Sequence, residues 1–219
     1  SENKTGDDPS RDNAAAVTNG KIIFHRGFGS GAFIYVVDPT TTPIADETLV
    51  GPGMGGVWKP DGSAILFVDP TSNENGNQNT GEIKLMDPDG NNVRSLTTRT
   101  YTVTFLNNPV AWSPDGTKIG FLRLCCGGSF STRIWSMNAD GSGPLQLSSG
   151  SGDRDPAWSP DGTKIAFTRG SQFGDQIYTV STSGSESQLT NVASRNSRRA
   201  HWSPDGTKIA YNRHTTHTQ

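Results

Sequence analysis

One string recurs along this chain almost unchanged. Residues 111–121 read AWSPDGTKIGF, residues 157–167 read AWSPDGTKIAF and residues 201–211 read HWSPDGTKIAY. A worn fourth copy, VWKPDGSAILF, stands at 57–67. A near-duplicate at regular spacing restricts the fold to architectures that stack one supersecondary unit on copies of itself.

The residues of the string say what that unit is. Pro sets φ for the first corner of a turn, Asp tolerates the second, and Gly takes the left-handed position that closes a three-residue hairpin loop. Ala-Trp before the turn and Lys-Ile-Ala-Phe after it are β-formers of alternating character. Each copy is therefore a hairpin of an inner strand A and a following strand B. Its Trp, Ile and Phe supply apolar area for neighbouring units to bury.

Two further strands, C and D, follow each hairpin. In the first unit (13–50), residues 14–24 (AAAVTNGKIIF) form a degenerate hairpin turning at Asn19-Gly20, with C at 32–37 and D at 47–50. The second (56–97) has C at 82–86 and D at 93–96, the third (109–148) has them at 133–137 and 144–147, and the fourth (156–190) at 176–180 and 187–189. The fifth, 200–213, holds only A and B, between a polar extension at 1–12 and a tail at 214–219. Trp58, Trp112, Trp158 and Trp202 are 54, 46 and 44 residues apart. Four strands per repeat of about 40–45 residues is the arithmetic of an all-β propeller of antiparallel blades, here 4.5–5 of them. A β-sandwich would not repeat one hairpin at constant spacing.

The pattern P-x-W-S-P-D-G-x-x-I-A-F, then I-Y-x-x-(D/N)-x-x-G and L-T or L-S, resembles the TolB-type propeller repeat, shared with tricorn-like and prolyl-oligopeptidase-like propellers. The resemblance covers residues 13–213 and lacks the Gly-His and Trp-Asp signatures of WD repeats. It implies a six-bladed ring, an extracytoplasmic, bacterial-type location (periplasmic or secreted) and a protein or peptide partner at the channel mouth. The pattern stops in a B–C loop, with three readings taken in order: a fragment, a ring completed by a partner chain, or a small ring closed by the N-terminal segment. An open B strand also offers a route to homo-oligomers through unpaired blade edges.

Composition excludes more than it identifies. A net charge of −2 gives no default attraction to nucleic acid, and no apolar run reaches membrane-spanning length. The vicinal Cys125-Cys126 would form only a strained disulfide, so two loop thiols are the simpler reading. No G-x-S-x-G or H-E-x-x-H occurs, and no catalytic residue is assigned. Gly51-x-Gly53-x-x-Gly56 and Gly27-x-Gly29-x-x-Ala32 match the dinucleotide pattern but precede strand-like residues, leaving no helix N-terminus for a pyrophosphate. His214 and His217 read as part of a flexible terminus.

Two sets of positions remain. Asn73, Asn75 and Glu82 fall at places 3, 5 and 12 of a calcium loop, although Thr71 replaces the first Asp; Ca²⁺ is the one cofactor considered. Loops entering successive A strands converge on a propeller's channel, and there stand Asn108, Arg154, Asp155, Arg198 and Arg199, with Met54-Gly55 in the second unit. They form a mixed ring able to hold a peptide or an anionic group, unless Asp155 and Asn108 only cap the strand entries. The reading is a non-catalytic binding scaffold for a protein or peptide. A propeller piece of a peptidase or lyase and a self-assembling structural protein are the alternatives.

Overall fold

A computed structural model describes residues 20–27, 31–40, 47–70, 80–97, 103–104, 109–124, 131–170, 174–192 and 195–215. Among these, every regular element is a strand. β1 (Ile22–Arg26), β2 (Phe33–Val37) and β3 (Thr48–Pro52) form an antiparallel meander; the first A strand expected at 13–18 lies outside the described residues. The second blade is β4 (Met54–Trp58), β5 (Ile65–Asp69), β6 (Thr80–Met86) and β7 (Arg94–Ser95). After a short connecting strand, β8 (Val103–Thr104), the third is β9 (Val110–Trp112), β10 (Lys118–Leu124), β11 (Thr132–Asn138) and β12 (Leu145–Gln146). The fourth is β13 (Asp153–Trp158), β14 (Lys164–Arg169), β15 (Gln176–Ser181) and β16 (Glu186–Gln188), and the last hairpin is β17 (Arg195–Trp202) with β18 (Ile209–Thr215).

The first strands of successive blades pack on one another, β4 against β9, β9 against β13 and β13 against β17. This is the inner-strand arrangement of a propeller. One pairing was not expected: the backbone of Val103 pairs with both Gly81 of β6 and Arg123 of β10, so β8 joins two blades into one sheet. A two-residue strand carries too short a pattern to be read from sequence.

Each WSPDG string does the same work. In the third blade Ser113 N–H donates to Lys118 O at 2.9 Å and Gly116 N–H to Ser113 O at 2.9 Å, with Gly116 at φ 67°. The loop is thus four residues long, one more than the turn chemistry predicted. The reason is side-chain bonding: Lys118 N–H donates to Ser113 Oγ at 2.9 Å, and that hydroxyl donates to Asp115 Oδ1 at 2.6 Å. Asp115 also accepts from Thr117 N–H at 3.0 Å. The pattern repeats at Ser159-Asp161-Thr163 and Ser203-Asp205-Thr207.

These bonds hold the turn carboxylates ionised. The Ser203 hydroxyl first, then the Thr207 N–H and hydroxyl, bring Asp205 from 3.8 down to about 2, and Asp115 and Asp161 are lowered by the equivalent groups. A folded value below the unfolded one gives stability that is full above pH about 4 and is lost as pH falls toward 2. Acid titration followed by circular dichroism is expected to show that loss. The Asp115→Asn, Asp161→Asn, Asp205→Asn triple variant should flatten it, whereas an unchanged profile would assign it elsewhere.

Packing explains why strand B is buried on both faces. Its odd residues face the preceding blade and its even residues the next. Trp112, Ile119 and Phe121 pack with Leu66, Val68 and Ile83 of the second blade, and Trp158, Ile165 and Phe167 with Leu122 and Ile134 of the third. Trp58, Ile65 and Phe67 meet Ile34 and Val36 in the same manner, and Trp202 and Ile209 meet Ala166 and Ile177. There is one apolar cluster per seam, each nucleated by the repeat. The indole N–H of Trp158 donates to Ala111 O at 3.2 Å and that of Trp202 to Ala157 O at 3.1 Å, so in these two copies the Trp also ties blade to blade. The L-T and L-S pairs close the outer strand: Thr97, Ser148 and Thr190 hydroxyls accept the N–H groups of Ile83, Ile134 and Ile177 at 2.9, 2.8 and 2.9 Å.

Candidate functional site

Three of the inner strands, β4, β13 and β17, begin earlier than their apolar pattern indicates. Arg154 and Asp155 lie inside β13, and Arg198 and Arg199 inside β17, rather than in entering loops. The reason is a bulge three residues before the Trp. Register shifts occur between Met54 and Val57, Arg154 and Ala157, and Arg198 and His201. At the bulge the backbone is left-handed, with φ 63° at Gly55, 56° at Asp155 and 55° at Arg199. Gly adopts this freely and Asp with a modest penalty, whereas Arg there is uncommon and is held by its surroundings. Aligned on the Trp, the third blade has Pro109 at this position, and β9 pairs in unbroken register.

The bulges bring four of the expected residues together on neighbouring inner strands. Asp155 is 8% exposed and accepts from Thr168 Oγ1 at 3.4 Å; the same hydroxyl accepts the Arg199 N–H at 3.2 Å. Arg154 and Arg198 grip the two oxygens of Asp175, which is 5% exposed. Asp175 is further fixed by Asn196, which accepts its N–H at 3.0 Å, and by Ser197, whose N–H donates to its carbonyl at 2.7 Å. Burial pushes the Asp155 carboxyl up, opposed by Arg154, the Thr168 hydroxyl, Arg199 and Arg198. Three guanidinium groups thus meet two carboxylates, and the Arg198 side chain keeps 48% of its surface in solvent. Arg199 is exposed as well. Fixed, planar donors beside strained backbone can receive a carboxylate or a peptide carbonyl.

Asp175 and Thr168 were not singled out by sequence reading. The Gly at Met54-Gly55 was the available signal, since Gly and Asp at one repeat position point to left-handed backbone. Asn108 lies outside the described residues, as do Asn73, Asn75, Cys125, Cys126 and His217. Glu82 is on β6, where its carboxylate accepts from Ser95 Oγ at 3.0 Å and faces the Lys84 ammonium at 3.9 Å. Among the described residues no group of three or more His, Cys, Asp or Glu side chains gathers as a metal site. Gly51, Gly53 and Gly56 fall in or between strands β3 and β4, which removes the dinucleotide reading. No helix among the described residues is long and apolar enough to cross a membrane.

Four-stranded antiparallel blades, stacked through their repeat tryptophans around inner strands, define a β-propeller. The TolB beta propeller domain matches residues 102–219, and the chain belongs to that family. Among solved structures it is similar to TolB from Acinetobacter baumannii, with TM-score 0.69 and 22% identity over 90% of this chain and 48% of that one. TolB from Agrobacterium tumefaciens gives TM-score 0.66 and 21% identity over 90% and 72%. An oligogalacturonate lyase in complex with manganese gives TM-score 0.59 and 17% identity over 82% and 50%. The chain spans about half the length of the Acinetobacter protein. No curated protein matches it.

Proposed function

We propose that this chain is a binding scaffold that holds a protein or peptide, extracytoplasmically, on its inner strands at the seam between β13 and β17. The observation that carries the reading is the pair of left-handed non-Gly residues, Asp155 and Arg199, set in one cluster with Arg154, Arg198 and Asp175. Strained backbone persists where surrounding contacts over-determine it, and such sites concentrate at binding positions. Three cations against two carboxylates favour a peptide bearing a carboxylate. Family membership supports the location and the kind of partner.

The test is peptide selection. A random-peptide library panned on the wild-type chain should yield ligands whose affinity falls by about tenfold or more in the Asp155→Asn, Arg199→Asn variant, the loss of one or two charge-assisted contacts. Asn tolerates left-handed backbone, so the variant retains the bulges. Unchanged affinity would remove the seam from the binding surface.

A second reading, a propeller that serves an enzyme, draws on likeness to a puromycin hydrolase, TM-score 0.59 and 15% identity, of which the chain covers 34%. Assembly through blade edges draws on β18, which among the described residues pairs only with β17 and exposes Tyr211.

A further inference from the structure

A cavity of about 400 Å³ lies at the seam of the second and third blades, at the end that carries the A–B and C–D turns. It stands apart from the β13–β17 seam and does not depend on the function proposed above. Its apolar lining includes Ala64, Leu85 and Trp112, and its polar lining Asp87, Asn92 and Arg94.

The cavity marks a departure of the worn repeat from its siblings. In the third and fourth blades the residue leaving the turn is Lys118 or Lys164, paired across strands B and C with Asn138 or Ser181. Lys118 Nζ donates to Asn138 Oδ1 at 3.2 Å. In the second blade the equivalent residue is Ala64, directly before Ile65, and Asp87 stands where Asn138 does in the third. The second blade therefore has alanine in place of the lysine and a carboxylate in place of the amide at the same cross-strand pair. Strand alternation sends Ala64 and Leu85 toward the third blade, where both join the apolar cluster of Trp112.

Among the described residues no ion pair engages Asp87. Lys59 also lines the cavity but is engaged by Asp61 at 2.7 Å. Arg94 lies near enough to Asp140 of the third blade to help lower that carboxyl, behind the Ser142 side-chain and backbone hydrogen bonds. Among the described residues the side-chain donor to the Asp87 carboxylate is neutral, the Asn92 amide at 2.6 Å. Asn92 is held with φ 52°, one of three left-handed non-Gly residues among the described residues.

We propose that this seam cavity is a socket for a lysine side chain of a protein or peptide partner. Its ammonium meets Asp87, and its aliphatic stem runs over Ala64, Leu85 and Trp112. The guest restores the cation that Ala64 omits, and the volume leaves room for the backbone that carries it. Arg94 and Lys59 discriminate against a second positive charge beside the first.

The experiment is a titration of the ¹⁵N-labelled chain with Nα-acetyl-lysine-N-methylamide, its norleucine analogue and n-butylamine, followed at the Trp112 indole and the Ala64 and Asp87 amides. The lysine compound is expected to give saturable shifts, with affinity about tenfold or more above norleucine, as a charge-assisted contact implies. Asp87→Asn should remove that preference. Ala64→Lys, which supplies the ammonium from within, should abolish binding and raise the melting temperature. Equal affinity for norleucine, no saturable shift, or full binding by Asp87→Asn would overturn the socket. Binding of n-butylamine as tight as that of the lysine compound would overturn the peptide assignment.

Discussion

Replacing Asp153 with alanine is expected to destabilise the fold by about 3–5 kcal/mol, the range for removing one partner of a buried ion pair. Asp153 is fully buried, and Arg169 donates to its two oxygens from Nε at 2.6 Å and Nη2 at 3.0 Å. The Ser148 hydroxyl adds a third bond at 2.5 Å, from the end of the preceding blade. Burial pushes the carboxyl up, opposed by Arg169 and Ser148, so removing those donors would push it further. Without it the guanidinium, 16% exposed, keeps Glu186 at 2.6 Å and its rings, Phe167 and Tyr178, but loses the bidentate contact. For a chain of this size the melting temperature should fall by on the order of 10 °C. The Asp153→Val, Arg169→Met double variant should recover much of the loss, because exchanging a whole buried pair for apolar groups is often neutral. A single Asp153→Ala costing under about 1 kcal/mol would show the network to be incidental.

Trp158→Ala is the second large effect, expected at about 3–5 kcal/mol for a buried aromatic side chain in a tightly packed site. Trp158 is 8% exposed, lies in the cluster between the third and fourth blades and donates to Ala111 O. Gly120 is the complement: a Cβ there would lie 2.9 Å from the Trp158 indole nitrogen. Trp202 occupies the same repeat position but is only partly buried, so Trp202→Ala should cost distinctly less. Urea unfolding of the two variants checks this. Equal losses would mean that burial at the seam is not what the tryptophan contributes.

How far the sequence discloses the structure follows from what each residue has to do alone. The turns, the B, C and D strands and the seam clusters are legible because Pro, Asp, Gly and the alternating apolar residues act locally and recur. The bulges are not, because a left-handed residue shows in composition only when it is Gly. Gly55 carries that signal, while Asp155 and Arg199 take the same conformation under identities that mask it. Asp175 is invisible for another reason: it matters only through Arg154 and Arg198, which the fold brings to it from two blades. Ala64 differs from the Lys of the other copies within the worn string itself, yet the meaning of that difference needs Asp87 across the strand pair.

The WSPDG string builds the propeller, and the binding positions proposed for this chain are the irregular residues before it. Melting temperature and affinity for one panned peptide, measured in parallel, separate the two roles. Asp161→Asn should lower the melting temperature and leave affinity unchanged well below it, since among the described residues Asp161 bonds within its own turn, at Ser159 and Thr163. Asp155→Asn, Arg199→Asn should lose affinity at nearly constant melting temperature. Loss of affinity in the turn variant with full binding by the seam variant would contradict the account.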